Sequence, residues 1–176
     1  TFQNIKLEGV TYAWKYDSQN NYWKASAFAG GVNNPTESWL VSTEIDLSGA
    51  TTPSLSFDAA INFLNGNNRA DFIEAKISAD YVDNVTTATW ATLNATWSEG
   101  KNWTFVNSGA IDLKDYVGKK VRLAFAYKST SACAPTIEIK NISVTEPKNG
   151  YYADVYLYKE VPENEVETAS AMMFAS

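Results

Sequence analysis

The stretch EIDLSGATTPSLSF, residues 44–57, has a counterpart in AIDLKDYVGKKVRLAF, residues 110–125. In both, Ile-Asp-Leu is followed by a polar, turn-prone bridge and then by a run in which Leu and Phe alternate with polar residues. A period of two is the pattern of a strand that is buried on one face. Such a construction can occur once in each sheet of a two-sheet sandwich. The repeat therefore predicts a folding device, and it does not by itself mark a site.

The same alternation, rather than a helical period, dominates the rest of the chain. It predicts strands at 54–61, 72–78, 120–127, 136–144 and 153–158, with further candidates at 10–16, 22–28, 39–42, 89–93 and 103–106. The segment 112–118 favours at most one helical turn. Short strands separated by polar, Gly-rich connections are typical of an antiparallel sandwich or barrel.

We therefore predict an all-β fold, a single antiparallel, two-sheet, jelly-roll-like β-sandwich. The sandwich is expected over residues 1–146. Residues 147–176 are expected to add an edge strand and a tail or linker to a neighbouring module, because the acidic and then weakly apolar end of the chain differs from the strands before it.

Composition excludes several classes of function. The formal net charge of −6 is opposite to the basic surface that nucleic-acid binding requires, and no apolar run is long enough for a membrane-spanning helix. The chain has no His, which removes the Ser-His-Asp and Cys-His arrangements of many enzymes. A lone cysteine, Cys133, can form neither an intrachain disulfide nor a Cys-based zinc site. We expect no nucleic-acid partner, no direct membrane insertion and no enzymatic activity.

Several stretches together resemble the cleaved-adhesin-like, choice-of-anchor J domains of surface and secreted proteins of Bacteroidetes. They are YWKASAFAGGVNNPTESWLVSTEIDLSG (22–49), LSFDAAINF (55–63), ISADYVDNVTTATWATLN (77–94), SGAIDLKDYVGKKVRLAFAY (108–127) and TIEIKNISV (136–144). The resemblance implies a galactose-binding-like β-sandwich, usually non-catalytic, in an extracellular or outer-surface protein. It also implies neighbouring domains in the same chain, and a glycan or a cell-surface or matrix protein as partner.

Aromatic residues are the best candidates for contacts with such a partner, because sugar rings have apolar C–H faces and binding pockets combine apolar walls with a few polar groups. The stretch VTYAWKY, residues 10–16, places several rings on one strand face, and more follow soon after. We select as stacking candidates Trp14, Tyr16, Tyr22 and Trp103. The alternative is core packing, since a sandwich buries one face of each strand.

Polar partners are expected from the loop AGGVNNPTE, residues 29–37, in which Asn33, Asn34 and Glu37 offer side-chain oxygens. The same three residues are weak candidates for a structural calcium ion, and the alternative is a well-capped connection. Some related jelly rolls hold calcium with an Asp before an Asn in the last strand. Here that place is taken by Lys140, which would repel the cation.

Two other polar loops are predicted to be structural. The segment NFLNGNNRAD, residues 62–71, contains an Asn-Gly turn signal and a single carboxylate, so we interpret it as a turn. Asp80 and Asp83 are interpreted as members of a solvated loop.

The sequence thus favours a non-catalytic extracellular binding or adhesion module of a larger exported protein. One alternative is a structural or assembly spacer, suggested by the strand-like YYADVYLYKEV, residues 151–161, which could pair with another chain. A carbohydrate-active hydrolase is a further alternative. It would need two carboxyl groups about 5–9.5 Å apart, which sequence spacing alone cannot identify.

Overall fold

The computed structural model describes residues 2–9, 13–147 and 154–159, and these form an antiparallel two-sheet β-sandwich. The predicted fold class is therefore confirmed. In the described residues the first sheet contains six strands: β1 (Phe2–Glu8), β6 (Thr36–Ser42), β7 (Ile45–Asp46), β9 (Ile73–Ser78), β10 (Ala91–Thr92) and β13 (Lys120–Ser129). The second contains seven: β2 (Trp14–Asp17), β3 (Tyr22–Ala25), β8 (Ser54–Asn62), β11 (Val106–Asn107), β12 (Ile111–Asp112), β14 (Thr136–Pro147) and β15 (Asp154–Lys159).

A separate hairpin joins β4 (Phe28–Ala29) to β5 (Val32–Asn33), and single 3₁₀ turns occupy Arg69–Asp71 and Lys114–Tyr116. The six-stranded sheet has the order β1-β6-β13-β9-β10, with β7 beside β13. The seven-stranded sheet has the order β11-β8-β14-β3-β2, with β12 beside β8 and β15 beside β14. In the described part of the chain, no helix is long and apolar enough to cross a membrane.

The repeated stretch is a reciprocal crossover between the two sheets. The Ile45–Asp46 strand pairs with the first two residues of β13, whereas Ile111–Asp112 pairs with the first two residues of β8. The first copy launches β8 and the second launches β13, so each copy pairs with the strand that the other launches. This arrangement ties the two sheets together and explains why the chain uses the construction twice.

Within each copy, the Asp turns the chain and the Leu enters the core. Asp46 and Asp112 each accept a hydrogen bond at 2.9 Å from the backbone N–H two residues later, the geometry of an Asx turn. Leu47 and Leu113 are both fully buried. The residues between Asp and the launched strand are otherwise different, so the shared Ile-Asp-Leu carries the shared structure.

Aromatic rings hold the sheets together. Phe57 of β8 meets Phe125 of β13 edge to face, with ring centroids 5.0 Å apart. Trp14 of β2 meets Tyr127 of β13 at 6.3 Å, again edge to face. All four rings are buried, and such pairs contribute roughly 0.5–1.5 kcal/mol each beyond the area they bury.

A β-bulge in β14 keeps its apolar side chains on the core side. The register with β8 shifts between Lys140 and Ser143, and Asn141 has a φ of 54°. Ile139 and Ile142 are both buried in the core although they lie three positions apart. The simple alternation predicted for this strand therefore ends at Ile139, because the bulge adds one residue.

Strand β15 belongs to the sandwich itself. It pairs with the last part of β14, and its Leu157 and Tyr158 are fully buried in the main core. The ring of Phe2 lies 5.8 Å from that of Tyr158. The predicted additional strand is thus an integral one, and the sandwich continues past residue 146. The predicted tail or linker at 160–176 lies outside the described residues, as do residues 10–12 of the first predicted strand.

The outer face of the six-stranded sheet is covered by a loop, residues 79–90. Trp90 packs on Trp39 of β6 at 5.2 Å and on Tyr81 at 5.9 Å. Asp80 fastens this loop by accepting hydrogen bonds from the Thr89 N–H at 2.7 Å and the Ser78 hydroxyl at 2.8 Å. These bonds lower the pKa of the Asp80 carboxyl. Asp80 is therefore part of the loop structure. Because the loop 79–90 covers the outer face of the six-stranded sheet, a ligand site is expected on the outer face of the seven-stranded sheet.

Candidate functional site

An open groove lies on the outer face of the seven-stranded sheet, where β3 ends and β14 begins. Trp23 and Ile137 of these strands enter the core, so the alternate residues Lys24 and Thr136 face outward. The groove has a volume of about 540 Å³, within the usual range for ligand pockets. We call it the aromatic groove, and it is lined by Lys24, Ser26, Phe28, Asn33, Phe63, Asn65, Trp103, Ala134 and Thr136.

Three separate segments bring the aromatic residues to this groove. The β4–β5 hairpin supplies Phe28, the turn after β8 supplies Phe63, and the loop before β11 supplies Trp103. Phe28 is 58% exposed, Phe63 51% and Trp103 42%. In the described part of the chain these are the only aromatic side chains among the large exposed apolar ones. Their convergence on one groove indicates a surface for an apolar or partly apolar ligand face.

The rings of Phe63 and Trp103 are fixed relative to each other. They meet edge to face, with centroids 5.6 Å apart and planes at 82°. An edge-to-face pair is a favoured aromatic geometry. The contact therefore stabilises the relative orientation of the two rings in the groove.

The backbone under these rings is strained. Phe63 has a φ of 66° and Trp103 a φ of 53°, and their neighbours Asn65 and Asn102 are also left-handed. Asn adopts this conformation readily, but a bulky residue does so at a cost of roughly 1–2 kcal/mol. Strained residues of this kind persist only where the surroundings fix them, and they cluster at functional sites.

The strained turn at Phe63 is held from below. Leu64 is buried against Gly100, where a Cβ would lie 2.3 Å from the Leu64 Cδ1, so only glycine fits. The Cys133 thiol lies 3.5 Å from the Phe63 carbonyl oxygen and donates a hydrogen bond to it. Burial raises the pKa of this thiol and keeps it protonated as a donor. Leu64, Gly100 and Cys133 thus position Phe63.

Substituting Phe63 gives a direct test of this strain. Because glycine adopts a positive φ freely and alanine does not, we expect Phe63→Gly to be more stable than Phe63→Ala by about 1 kcal/mol. At exposed positions a glycine variant is ordinarily less stable than the alanine variant. A more stable Phe63→Gly would therefore indicate backbone strain at this position. Urea denaturation of both variants measures it. An alanine variant as stable as the glycine variant would mean that the turn relaxes and stores no strain.

Polar groups lie beside the rings. Lys24 lines the groove from β3, and Asn33 and Asn65 line it from the β4–β5 hairpin and from the turn after β8. The Asn33 amide N–H donates a long hydrogen bond, 3.5 Å, to the Ser131 carbonyl oxygen, and no described residue donates to its side-chain oxygen. Rings with amide and ammonium groups at their margins form a surface suited to a polyhydroxylated ligand.

A second cavity of about 590 Å³ adjoins the groove. It shares Phe63 and Asn65 with the aromatic groove and continues along the turn after β8 to Glu99 and Lys101. Phe63 therefore stands between two adjacent depressions. An extended ligand could contact both of its sides.

Among the predicted stacking residues, Trp103 lies in the groove and Trp14 does not. Trp14 is 1% exposed, and its indole N–H donates to the Ser38 carbonyl oxygen at 2.9 Å. The structure therefore corrects the expectation for Trp14, which is a core residue with no ring face open to a ligand. The alternation placed it on the correct strand, but the ring-bearing face of that strand is the inner one.

Tyr16 and Tyr22 are half-buried neighbours of the groove and do not line it. The ring of Tyr16 packs on Trp23 at 5.2 Å. Tyr22 lies on the outer face, near the ring of Phe105 at 6.2 Å. Burial and a hydrogen bond with Glu138 raise the pKa of Tyr22 to about 12, so its hydroxyl stays protonated.

Of the predicted polar partners, Asn33 lies in the groove, whereas the other two have structural roles. The Asn34 amide donates to the carbonyl oxygens of Ala27, Ala29 and Val32 and so closes the β4–β5 hairpin. Glu37 accepts a hydrogen bond from the indole of Trp39 at 3.0 Å, on the six-stranded sheet. The expectation that all three form one ligand-binding set is therefore corrected.

Calcium binding at Asn33, Asn34 and Glu37 stays a prediction. Two of these three side chains are engaged as just described, and within the described ranges no group of three or more Asp, Glu, Cys or His side chains could hold a metal ion. The Lys140 ammonium lies 4.0 Å above the centre of the Phe105 ring, a cation–π contact that places its charge on the same outer face.

Seven residues of the groove were not among the predicted site residues, and they include Lys24, Phe28, Phe63 and Asn65. Phe28 and Phe63 each lie close to a glycine or Asn-Gly turn. An aromatic residue at a turn was the sequence signal that could have predicted their exposure in the groove. The turn interpretation of 62–71 is otherwise supported, since Asn67 donates to the Leu64 carbonyl oxygen and Asn68 caps the 3₁₀ turn. Asn65 belongs to the turn and to the groove at once.

No protein-family profile and no curated protein sequence matches the chain. Solved structures with similar architecture include the K1 cleaved adhesin domain of Lys-gingipain from Porphyromonas gingivalis, at 14% identity and a TM-score of 0.46, covering 84% of this chain and 99% of that one. The K3 cleaved adhesin domain of the same protein has 11% identity and a TM-score of 0.46, covering 82% and 100%. A family 30 carbohydrate-binding module of a Clostridium thermocellum cellulase has 13% identity and a TM-score of 0.41, covering 84% and 99%. These structures include the type of domain that the sequence resembles.

Proposed function

We propose that this chain is a non-catalytic glycan-binding module and that its ligand lies in the aromatic groove. The observation that carries the proposal is the convergence of three exposed rings, from three separate segments, on one groove edged by amides and a lysine. The apolar faces of sugar rings stack on such aromatic surfaces, and amide groups satisfy the hydroxyls. The strain at Phe63 and Trp103 supports the proposal, because it would serve no purpose in an ordinary surface loop.

The absence of acid groups in the groove supports binding without hydrolysis. Glycoside hydrolysis ordinarily needs two carboxyl groups flanking the bond to be cleaved. Within the described residues no carboxylate lines the aromatic groove, and Glu138, on the strand beneath it, is buried. A bound sugar would be held there but not attacked.

In this proposal the module works at the cell surface or outside the cell, as part of a larger exported protein. Its sequence resemblance to cleaved-adhesin-like domains supports that location. The neighbouring domains would then set the biological context of the glycan.

The experiment is a glycan-array screen of the wild-type protein, followed by titration of the best ligand against single variants. We expect Trp103→Ala and Phe28→Ala each to weaken binding about tenfold or more, because central aromatic contacts commonly dominate a binding free energy. Val82→Ala is the control, since Val82 is 81% exposed in the loop over the other sheet. Parallel titrations with calcium and with a chelator test the predicted ion.

The results separate the possibilities clearly. A folded protein that binds no glycan, or whose binding survives both aromatic substitutions, would overturn the proposal. Release of reducing sugar from the bound glycan would contradict the non-catalytic part. Binding that is lost with the chelator would establish a role for calcium.

A further inference from the structure

The aromatic groove carries a positive charge. Lys24 is the only charged residue that lines it in the described part of the chain. A lysine is not needed to stack a neutral sugar.

Within the described residues, Lys24 makes no salt bridge and no hydrogen bond. Its neighbour across the β2–β3 pair is Lys15, directly opposite in register and equally without an ion pair. Like charges placed directly opposite each other on neighbouring strands are destabilising. The fold thus places two lysines side by side on this face, in a protein whose net charge is −6.

The carboxylates of the same face are engaged by neutral donors instead. Asp17 accepts hydrogen bonds from the backbone and side chain of Asn20, and Asp58 accepts them from the side chains of Asn107 and Asn141. These contacts satisfy carboxylates that could otherwise pair with the lysines. The positive charge of Lys15 and Lys24 is left facing solvent.

Glu138 is the acid nearest to Lys24 in the sheet, since the two are register partners on β14 and β3. Its side chain is buried and shares a hydrogen bond with the Tyr22 hydroxyl. No contact within 4.0 Å joins it to Lys24. Glu138 therefore forms no ion pair with Lys24, and the Lys24 ammonium stays available to a ligand in the groove.

We propose that the aromatic groove selects acidic glycans, whose carboxylate or sulfate group pairs with the Lys24 ammonium while a sugar ring stacks on Trp103 or Phe28. This inference rests on the proposed function and narrows it to a class of ligand. Lys15, beside Lys24, strengthens the local field and attracts the anion. The selected group must be carried by the sugar itself, because the ring contacts and the charge contact lie in the same groove.

The test compares matched charged and neutral polysaccharides by affinity gel electrophoresis and calorimetry. The first pair is polygalacturonate and its carboxyl-reduced form, and the second is dextran sulfate and dextran. The protein as a whole is acidic and is repelled by polyanions, so retention by the charged member requires a local site. We expect the charged member of at least one pair to bind about tenfold more tightly than the neutral one, with the preference falling as salt rises.

Lys24→Gln should remove most of that preference, so that the charged and neutral members bind this variant within about twofold of each other. The matched control is Lys114→Gln, which removes the same charge from an exposed lysine near the other end of β8. The pair that shows the preference identifies the anion as carboxylate or sulfate.

Two outcomes would overturn the inference and leave the proposed function intact: equal binding of the charged and neutral members by wild type, or a preference that survives Lys24→Gln. If neither pair binds and the array gives no ligand, the proposed function fails, and the inference fails with it. Lys24→Arg is a second variant that keeps the charge: it should keep the preference, and its loss in folded Lys24→Arg would show that the charge at this position does not select the ligand.

Discussion

Replacing Trp14 with alanine should destabilise the domain by about 3–5 kcal/mol, the usual cost of emptying a buried tryptophan site. Its side chain is buried between the sheets, touches the Tyr127 ring and donates a hydrogen bond to Ser38. A domain of ordinary stability has only about 5–15 kcal/mol to lose. The substitution should therefore remove a large share of the stability, and a lower urea midpoint measured by near-ultraviolet circular dichroism would show it.

The matched comparison is Trp103→Ala, the same chemical change at an exposed ring. Here the expected loss of stability is below about 1 kcal/mol, because the ring is already 42% exposed and its removal lets the loop relax. Trp14→Ala should thus lower the free energy of unfolding, and Trp103→Ala should lower the affinity for glycan. Equal losses of stability in the two variants would contradict the division between core and groove.

A third variant keeps the prediction testable if Trp14→Ala does not fold at all. Trp14→Phe retains an aromatic ring but leaves the Ser38 carbonyl oxygen without its indole donor. We expect it to fold with a stability loss of about 1–3 kcal/mol. Its glycan binding, measured on folded protein, should match that of wild type, since Trp14 is remote from any ligand surface.

The two tryptophans also show why sequence predicted the fold better than the site. Alternation correctly divides a strand into two faces, and the alternating segments became β8, β9, β13 and most of β14. It does not say which face is inward when both carry aromatic or polar residues. In VTYAWKY the ring-bearing face is turned to the core at Trp14, and the exposed alternate is Lys15.

The strand predicted at residues 103–106 begins too early, because the backbone at Trp103 is strained. Residues 103–106 alternate well enough to predict a strand, yet regular pairing begins only at Val106. Trp103 has a positive φ that no β-propensity would suggest. Its position is set by contact with Phe63, forty residues earlier in the chain, and such a contact is invisible to a local pattern.

The groove itself depends on strand pairing over long sequence distances. Lys24 and Thr136 come together only because β3 lies beside β14, and Phe63 joins them because β8 lies on the other side of β14. The sequence singled out the glycine-rich loop that carries Asn33 and the aromatic Trp103, and both line the candidate groove. It could not indicate that both face Lys24, because the strand order is not contained in the spacing of residues along the chain.

The repeated stretch, by contrast, was readable from sequence as a device that recurs in each sheet. Sequence did not reveal how the two copies differ in their support. The second copy closes its own bridge with the 3₁₀ turn Lys114–Tyr116. The first copy has only a short turn, in which the Ala50 N–H donates to the Leu47 carbonyl oxygen at 3.2 Å, and its bridge is also held by Glu146 of β14, whose carboxylate accepts hydrogen bonds from the backbone N–H groups of Thr51 and Thr52.

Replacing Glu146 with alanine should therefore destabilise the domain by about 3 kcal/mol, since each hydrogen bond to a charged acceptor contributes about 1.5–3 kcal/mol and water can reach part of the opened bridge. Glu146→Gln keeps an acceptor oxygen and should cost about 1 kcal/mol. Urea denaturation gives these values, and amide hydrogen exchange should show faster exchange at Thr51 and Thr52 in the alanine variant.

The control is Glu44→Ala, which removes a carboxylate at the start of the same stretch. Its oxygen lies 4.0 Å from the Lys120 ammonium, and both side chains are more than half exposed, so the expected cost is below about 0.5 kcal/mol. If Glu146→Ala cost no more than Glu44→Ala, the bridge would be held by its own turn and not by β14. If the predicted order holds, the two copies of one motif share a turn at the Leu carbonyl, closed by the Ala50 N–H in the first copy and by the Tyr116 N–H in the second. The first copy then depends in addition on a distant strand, through Glu146, whereas the second continues into its own 3₁₀ turn.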